Sequence, residues 1–227
     1  TLDVGCLKRQ YRDRLLSLRA VDDMVGSLVT TLQRLDEWSR TVFIFTSDNG
    51  WFYGQHRLTD KILGYEESIR VPLYIRAPGF PGQATTRAAL NNDLASTVAD
   101  FAGIEPGLRV DGRSLLPLMR NPAETMWRKR FLVEFLGNVE TDRVPPRAPF
   151  SAVRTTNLSR ATPPDQIYVS WKDGLGSEEF YDLRTDPLQL SSQHDNAAWA
   201  SVRNMLAGWL ADFRACARGS CQTLENQ

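Results

Sequence analysis

Thr41-Val42-Phe43-Ile44-Phe45-Thr46-Ser47-Asp48-Asn49-Gly50 is the stretch that decides the fold. Its first six residues form an unbroken β-branched and aromatic run, the pattern of a strand covered on both faces. That pattern points to a central parallel sheet. Ser47-Asp48-Asn49-Gly50 then stops the strand with turn residues. Two oxygen-bearing side chains therefore stand at the carboxyl end of a central strand, the edge at which open α/β sheets bind their ligands. Upstream, apolar residues at Tyr11, Leu15, Leu18, Val25, Leu28, Val29, Leu32 and Leu35 keep the three-and-four spacing of one long helix with a single buried face.

Downstream, a Gly-containing, mixed-charge loop runs to about Arg70, long enough to be functional. Val71-Pro72-Leu73-Tyr74-Ile75 reads as the next strand, with Pro72 tolerable only near its start. Asp93 to Phe101 reads as a short helix with Leu94, Val98 and Phe101 facing inward and Gly103 as its stop. The α/β layer ends near Arg120-Asn121-Pro122, which divides the chain into residues 1–122 and 123–227. Beyond that point the grammar changes to short strands at Phe131-Phe135, Ser151-Thr155, Ile167-Trp171 and Glu179-Leu183, an antiparallel meander. A final helix from Asn196 to Ala215 carries Trp199, Val202, Leu206, Trp209, Leu210 and Phe213 at helical spacing, so it covers one face of that sheet. Thr141 to Pro149, with three prolines, reads as an exposed loop.

The 227 residues are 42% hydrophobic and 24% charged, close to the globular average, which excludes whole-chain disorder. Lys+Arg and Asp+Glu both number 27, so no overall field would hold the chain on nucleic acid or an anionic membrane. The apolar runs are far shorter than the roughly 20 residues of a membrane span. The start at Thr1, running almost at once into a helix, reads as a carboxy-terminal portion of a longer polypeptide. Cys216 and Cys221 enclose only Ala-Arg-Gly-Ser, a loop short enough for a local disulfide, which would imply an oxidising compartment. Two unpaired thiols on a frayed tail is the alternative. Cys6 is left over, either buried or paired elsewhere.

Asp48 and Asn49 are adjacent hard oxygen donors suited to Ca2+ or Mg2+, although the same residues cap ordinary turns. The loop that follows shifts the balance. It holds His56 and Lys61, in a chain with two His and the four Lys 8, 61, 129 and 172. A lysine supplies a point charge and a histidine a proton donor near neutral pH, so beside a cation they would make an oxyanion site. Taken singly, each reads as a surface residue.

Residues 41–50, Gly54-Gln55-His56, Lys61 and Gly64-Tyr65-Glu66-Glu67-Ser68-Ile69-Arg70-Val71-Pro72-Leu73 resemble the second half of the sulfatase family in order and spacing. The likeness continues through Ala95-Ser96-Thr97-Val98-Ala99-Asp100, Asp111-Gly112-Arg113-Ser114-Leu115-Leu116-Pro117 and Phe180-Tyr181-Asp182-Leu183-Arg184-Thr185-Asp186-Pro187. It implies an α/β fold: part of an alkaline-phosphatase-like central sheet sandwich in 1–122, then a small antiparallel sheet with a packed C-terminal helix in 123–227. Carried over by position, Asp48 and Asn49 match calcium ligands and Lys61 the lysine that contacts sulfate. His56 matches a histidine near the sulfate or leaving group. The family's nucleophile is a formylglycine made from a Cys-x-Pro-x-Arg type motif, and no such motif occurs here. Calcium takes six to eight oxygens, so two side chains are part of a site, to be completed by an N-terminal portion of the same protein.

The implied activity is hydrolysis of sulfate esters of sugars or aryl alcohols, with a flavour nearer glucosamine-6-sulfatases than aryl sulfatases. The hydrated formylglycine would attack sulfur while calcium and Lys61 neutralise the growing charge. An extracytoplasmic location goes with it. A phosphonate or phosphate ester hydrolase of the same superfamily is the enzymatic alternative, since a cation with Lys and His would serve phosphoryl groups too; Asn49 stands where the phosphatases and phosphonate hydrolases tend to carry His. The non-enzymatic alternative is a carbohydrate-binding or interaction fragment using Trp127, Trp171, Arg154 or Arg160, with Trp199 and Trp209 assigned to the core by their place on the helix stripe.

Overall fold

The computed structural model describes residues 3–108, 110–137, 148–156 and 165–227. Arg160 and most of the Thr141–Pro149 stretch lie outside them. The chain forms two compact units, Thr1–Gly82 and Gln83–Gln227, and the boundary expected at 122 falls within the second. No helix among the described residues is long and apolar enough to cross a membrane.

In the first unit, helix α1 spans Val4–Arg34 and starts at Asp3, whose carboxylate accepts the backbone N–H groups of Gly5 and Cys6 at 2.8 and 3.2 Å. The expected helix is there, but its expected burial is not: none of its residues is buried, and Tyr11, Leu15 and Leu28 remain almost half exposed. At about 1.5 Å per residue the helix is roughly 46 Å long, and the short elements Trp38–Arg40 and Phe52–Tyr53 pack on it. Tyr53 meets Tyr11 edge-on at 5.6 Å and sits under the Arg14 guanidinium. Cys6 is free and exposed, not buried.

Strand β1 (Phe43–Thr46) pairs with β4 (Leu73–Arg76) antiparallel, Ile44 opposite Ile75 and Phe45 opposite Tyr74. The expectation of a parallel sheet is thus corrected: among the described residues β1 has this one partner and is at most half-buried. A continuous apolar run reports a strand's capacity for burial and carries no information on direction. Pro72 lies just before β4, as its missing N–H requires, and its carbonyl accepts the Thr46 hydroxyl at 2.9 Å. Between the two strands come β2 (Phe52–Tyr53), β3 (Thr59–Asp60) and the single-turn helix α2 (Glu66–Ile69).

That single turn organises its surroundings. The Gly50 N–H donates to the Ser68 carbonyl at 2.8 Å, and a Cβ on Gly50 would lie 1.9 Å from the Glu67 carbonyl oxygen. Only glycine lets the two backbones come this close. The Ser68 hydroxyl accepts the N–H groups of Ile62 and Leu63 at 3.1 and 3.5 Å, fixing the segment between β3 and α2.

In the second unit, α3 (Asp93–Ala102) ends at Gly103 in the left-handed region at φ 66°, as its sequence predicts. Its buried face is not the expected one: Val98 is exposed, whereas Asp93, Thr97 and Ala99 are buried. The reason is Arg128. Fully buried, it donates to both Asp93 oxygens at 2.8 and 2.9 Å and pairs with Glu225 at 2.9 Å. The Thr97 hydroxyl donates to the Asp93 carbonyl and accepts the Leu115 N–H. Polar groups with satisfied partners have displaced an apolar stripe from the interior. After α4 (Leu116–Arg120) come β5 (Arg130–Phe135), β6 (Phe150–Thr155), β7 (Gln166–Trp171) and β8 (Glu178–Asp182), an antiparallel meander in sequence order.

Helix α5 (Ala200–Ala215) lays Leu206, Leu210 and Phe213 on Val153, Tyr168 and Phe180 of that sheet, with Trp199 and Trp209 packed at the margin. A disulfide between Cys216 and Cys221 leads into α6 (Gly219–Asn226), a helix the sequence reading treated as tail. It delivers Glu225 to Arg128 and Arg113.

Burial opposes charge on Arg128, but the hydrogen bonds and charges of Asp93 and Glu225 outweigh it and raise its pKa. Removing one partner of such a group typically costs about 3–5 kcal/mol. Arg128→Met, which leaves two carboxylates facing an apolar side chain, is expected to lower unfolding free energy by that amount in urea titration. Gly50→Ala is expected to cost about 1–3 kcal/mol through the forced backbone separation. Gly208→Ala, on an exposed position of α5 with nothing within 4 Å of the added methyl, is expected to stabilise by about 0.5–1 kcal/mol.

Candidate functional site

The candidate residues all belong to the first unit, and three short backbone segments carry them. Asp48 and Asn49 follow β1 directly. The Asp48 carboxylate accepts the Asn49 N–H at 2.9 Å, the Ser47 hydroxyl donates to the Asn49 carbonyl at 2.9 Å, and the Asn49 amide donates to the Gly50 carbonyl at 2.9 Å. These bonds lock a tight turn, and the hydrogen bond of Gly50 to α2 anchors its far end.

Lys61 comes from the segment after β3. Its Nζ donates to Asn49 Oδ1 at 3.0 Å, so the structure brings together two of the residues singled out in the sequence. Asp60 at φ 110° and Ile62 at φ 80° flank it, both in the left-handed half of backbone space that L-residues rarely adopt. Strain of this kind persists where surrounding contacts over-determine it. Here those contacts are the β2–β3 pairing of Phe52 with Asp60 and the Ser68 hydroxyl holding Ile62 and Leu63.

His56 sits in a 3-10 turn, Gln55–Arg57, that Gly54 opens at φ 101°, and both His56 and Arg57 have positive φ, 52° and 59°. Its ring is clamped. Tyr65 stacks on it at 4.0 Å with planes 9° apart, and Phe52 meets it edge-on at 6.0 Å. Its Nε2 lies 3.5 Å from Glu67 Oε2. The side chain is only 10% exposed, so this is not the surface-loop histidine that its sequence context alone would suggest.

The arrangement is suited to an anion. It offers a lysine ammonium, an enclosed imidazole and two hard oxygen donors at a strand end. As cation ligands, the exposed Asp48 carboxylate and the Asn49 carbonyl oxygen are chemically apt, but no group of three or more His, Cys, Asp or Glu able to hold a metal occurs among the described residues. Asn49 Oδ1 is moreover shared with the Lys61 ammonium.

Sequence reading missed three contributors: Tyr65, Glu67 and Ser68. All lie in the Gly64–Leu73 stretch quoted for its resemblance, but none carries a chemical signal by itself. A Tyr, a Glu and a Ser on one helical turn read as a solvated surface. Their roles arise from the close approach of Gly50.

Elsewhere, a concavity of about 540 Å3 in the second unit is bordered by Trp171, Glu178, Glu179, His194, Asp195 and Arg203. Its two glutamates are engaged within the fold: Glu179 accepts the Trp171 indole N–H at 2.9 Å, and Glu178 accepts the Tyr168 hydroxyl at 2.7 Å. Of the residues singled out in the sequence, Trp171 borders it, whereas Asp48, Asn49, His56 and Lys61 belong to the first unit.

Residues 54–215 match the family described as N-sulphoglucosamine sulphohydrolase, C-terminal. The chain is 39% identical over 210 residues to the N-acetylglucosamine-6-sulfatase of Homo sapiens, covering 82% of this chain and 37% of that protein. It is 30% identical over 203 residues to an N-acetylglucosamine-6-O-sulfatase of Bacteroides thetaiotaomicron, covering 87% and 34%. It therefore spans little more than a third of the length of these relatives. Among solved structures it resembles a protein in complex with its substrate D-glucosamine-2-N,6-O-disulfate, with a TM-score of 0.77, 28% identity and coverage of 90% and 40%. It also resembles the phosphonate monoester hydrolase of Agrobacterium radiobacter, with a TM-score of 0.72, 27% identity and coverage of 86% and 39%. The match of residues 54–215 to this family, together with the sulfatase relatives and a fold in keeping with them, places this chain in the sulfatase family, as its carboxy-terminal portion.

Proposed function

We propose that this chain contributes to the active site of a sulfate ester hydrolase acting on sulfated sugars. The observation that carries the reading is the Lys61 ammonium held 3.0 Å from Asn49 Oδ1, directly after the strand-end Asp48. Asp48 and Asn49 would hold a divalent cation, calcium by preference for hard oxygens and magnesium as the alternative. Such a cation supplies positive charge opposite the sulfate oxygens. Lys61 binds the sulfate group and neutralises charge as the ester bond breaks. His56, enclosed by Phe52 and Tyr65, holds the proton that the departing alcohol needs.

The nucleophile, a formylglycine, is assigned to a portion of the protein outside this sequence, and so are the remaining cation ligands. On this reading residues 1–122 are the C-terminal part of the catalytic α/β domain and 123–227 a subdomain. The choice of sugar sulfates rests on the N-acetylglucosamine-6-sulfatases among the relatives. The Cys216–Cys221 disulfide supports an extracytoplasmic location, since such bonds persist mainly in oxidising compartments.

The likeness to a phosphonate monoester hydrolase supports a second reading, in which the same cation, Lys61 and His56 serve a phosphonate or phosphate ester. The two are separated by assaying the full-length protein on glucosamine 6-sulfate and on a phosphonate monoester. We expect higher kcat/KM on the sulfate. Lys61→Ala should lower kcat on it by at least about 100-fold, the scale of losing one preorganised charge-stabilising donor. Unchanged kcat would remove Lys61 from the site, and preference for the phosphonate would favour the second reading.

A further inference from the structure

We propose that Glu67 is a positioning residue for His56, turning the ring so that Nε2 carries a proton toward Glu67 and Nδ1 is the nitrogen that works. The proposal rests on the reading of His56 as an active-site group, and it assigns that group's tautomer. Four observations bear on it. The first is proximity: Nε2 and Glu67 Oε2 lie 3.5 Å apart, with side chains only 10% and 19% exposed. The second is isolation. Both atoms are enclosed, and among the described residues neither makes a hydrogen bond to another group. A buried donor and a buried acceptor left without partners are costly, and these two have each other within reach.

The third is the clamp. With Tyr65 stacked at 9° and Phe52 edge-on at 87°, the plane of the imidazole is set. A half-turn about the Cβ–Cγ bond would preserve both ring contacts and place Cε1 where Nε2 now lies. Aromatic neighbours do not distinguish those two orientations. A carboxylate does, because it accepts from N–H and gains little from C–H. When Nε2 holds the proton in the neutral ring, the lone pair resides on Nδ1, which takes up a second proton and, as the imidazolium, is the nitrogen that gives it to the departing alcohol. The fourth is that Glu67 cannot slide: its own carbonyl is pressed against Gly50, and the next residue, Ser68, receives the Gly50 N–H. The same backbone contact that sets the Asp48-Asn49 turn thus sets the origin of the side chain that orients His56.

The test uses the full-length protein, 15N-labelled at histidine, with the His56 ring signals identified by their disappearance in His56→Asn. The wild type should show the Nε2–H tautomer, and Glu67→Met should show a mixture. Glu67→Gln, whose carbonyl still accepts, should keep the wild-type pattern. On glucosamine 6-sulfate, Glu67→Met should lower kcat about 10–100-fold, the range typical of an orienting partner, with KM changed less than about threefold. In the His56→Asn background, Glu67→Met should have no further effect, because the two residues act as a unit. An Nδ1–H tautomer in the wild type would overturn the proposal. So would an equal loss in both backgrounds, which marks a purely structural role, or an unaltered kcat in Glu67→Met. If the wild type hydrolysed no sulfate ester, the functional reading would fail, while the ring-nitrogen shifts would still decide on the pair.

Discussion

The approach of Gly50 to the turn Glu66–Ile69 is the contact on which the first unit's chemistry depends. One glycine, lacking a Cβ, lets two backbone segments meet closer than any side chain would permit. The meeting places a helical turn beside the end of β1. From that turn, Ser68 holds the segment that bears Lys61, Glu67 faces His56, and Tyr65 just before it covers the imidazole. Four site residues drawn from three loop segments are thereby referred to one rigid point. Loops gain the precision of regular elements when a scaffold of this kind supports them. The left-handed conformations at His56, Asp60 and Ile62 are the local cost of bending so much chain around so small a hub.

The second unit solves a different problem. Its meander and α5 form an ordinary apolar core, but Asp93, Arg128, Arg113 and Glu225 place four charges beside it. Burial pushes the Arg113 guanidinium down, against the opposing pull of Glu225, whereas Arg128 is held charged. The difference follows from partner number: Arg128 faces two carboxylates and Arg113 chiefly one. Directional pairing ties α3, the segment before β5 and α6 together more specifically than apolar packing would. Non-directional contacts tolerate sliding, and a forked guanidinium does not.

Much of this architecture was legible in the residues. The α1 helix, the Gly103 stop, all four meander strands and the buried stripe of α5 followed from periodicity and turn chemistry, because these depend on local spacing. Direction did not follow: the Phe43–Thr46 run was read as parallel and pairs antiparallel with Leu73–Arg76, since apolar content has no polarity. Burial failed wherever it depended on a partner distant in sequence. Val98 satisfies a helical stripe yet is exposed, because Arg128, 30 positions later, holds Asp93 inside and the Leu115 N–H bonds Thr97 on the same buried face. In the site, Asp48, Asn49, His56 and Lys61 were legible from rarity and spacing, and Lys61 does meet Asn49. Glu67 was not, because its significance is a distance of 3.5 Å and no motif encodes it.

The lattice of charges around Arg128 also has a place in time. A ribosome releases Asp93 and Arg128 well before Glu225, and at about 5–20 residues per second the interval is on the order of ten seconds. During that interval the guanidinium has one of its two carboxylates. The meander can pair and α3 can dock, but the segment before β5 still lacks α6, whose residue 224 carbonyl accepts from Arg130 and whose residue 225 carbonyl accepts the Lys129 N–H. The nascent second unit therefore meets its last helix late, and the Cys216–Cys221 disulfide ties that helix to the end of α5, which packs on the meander.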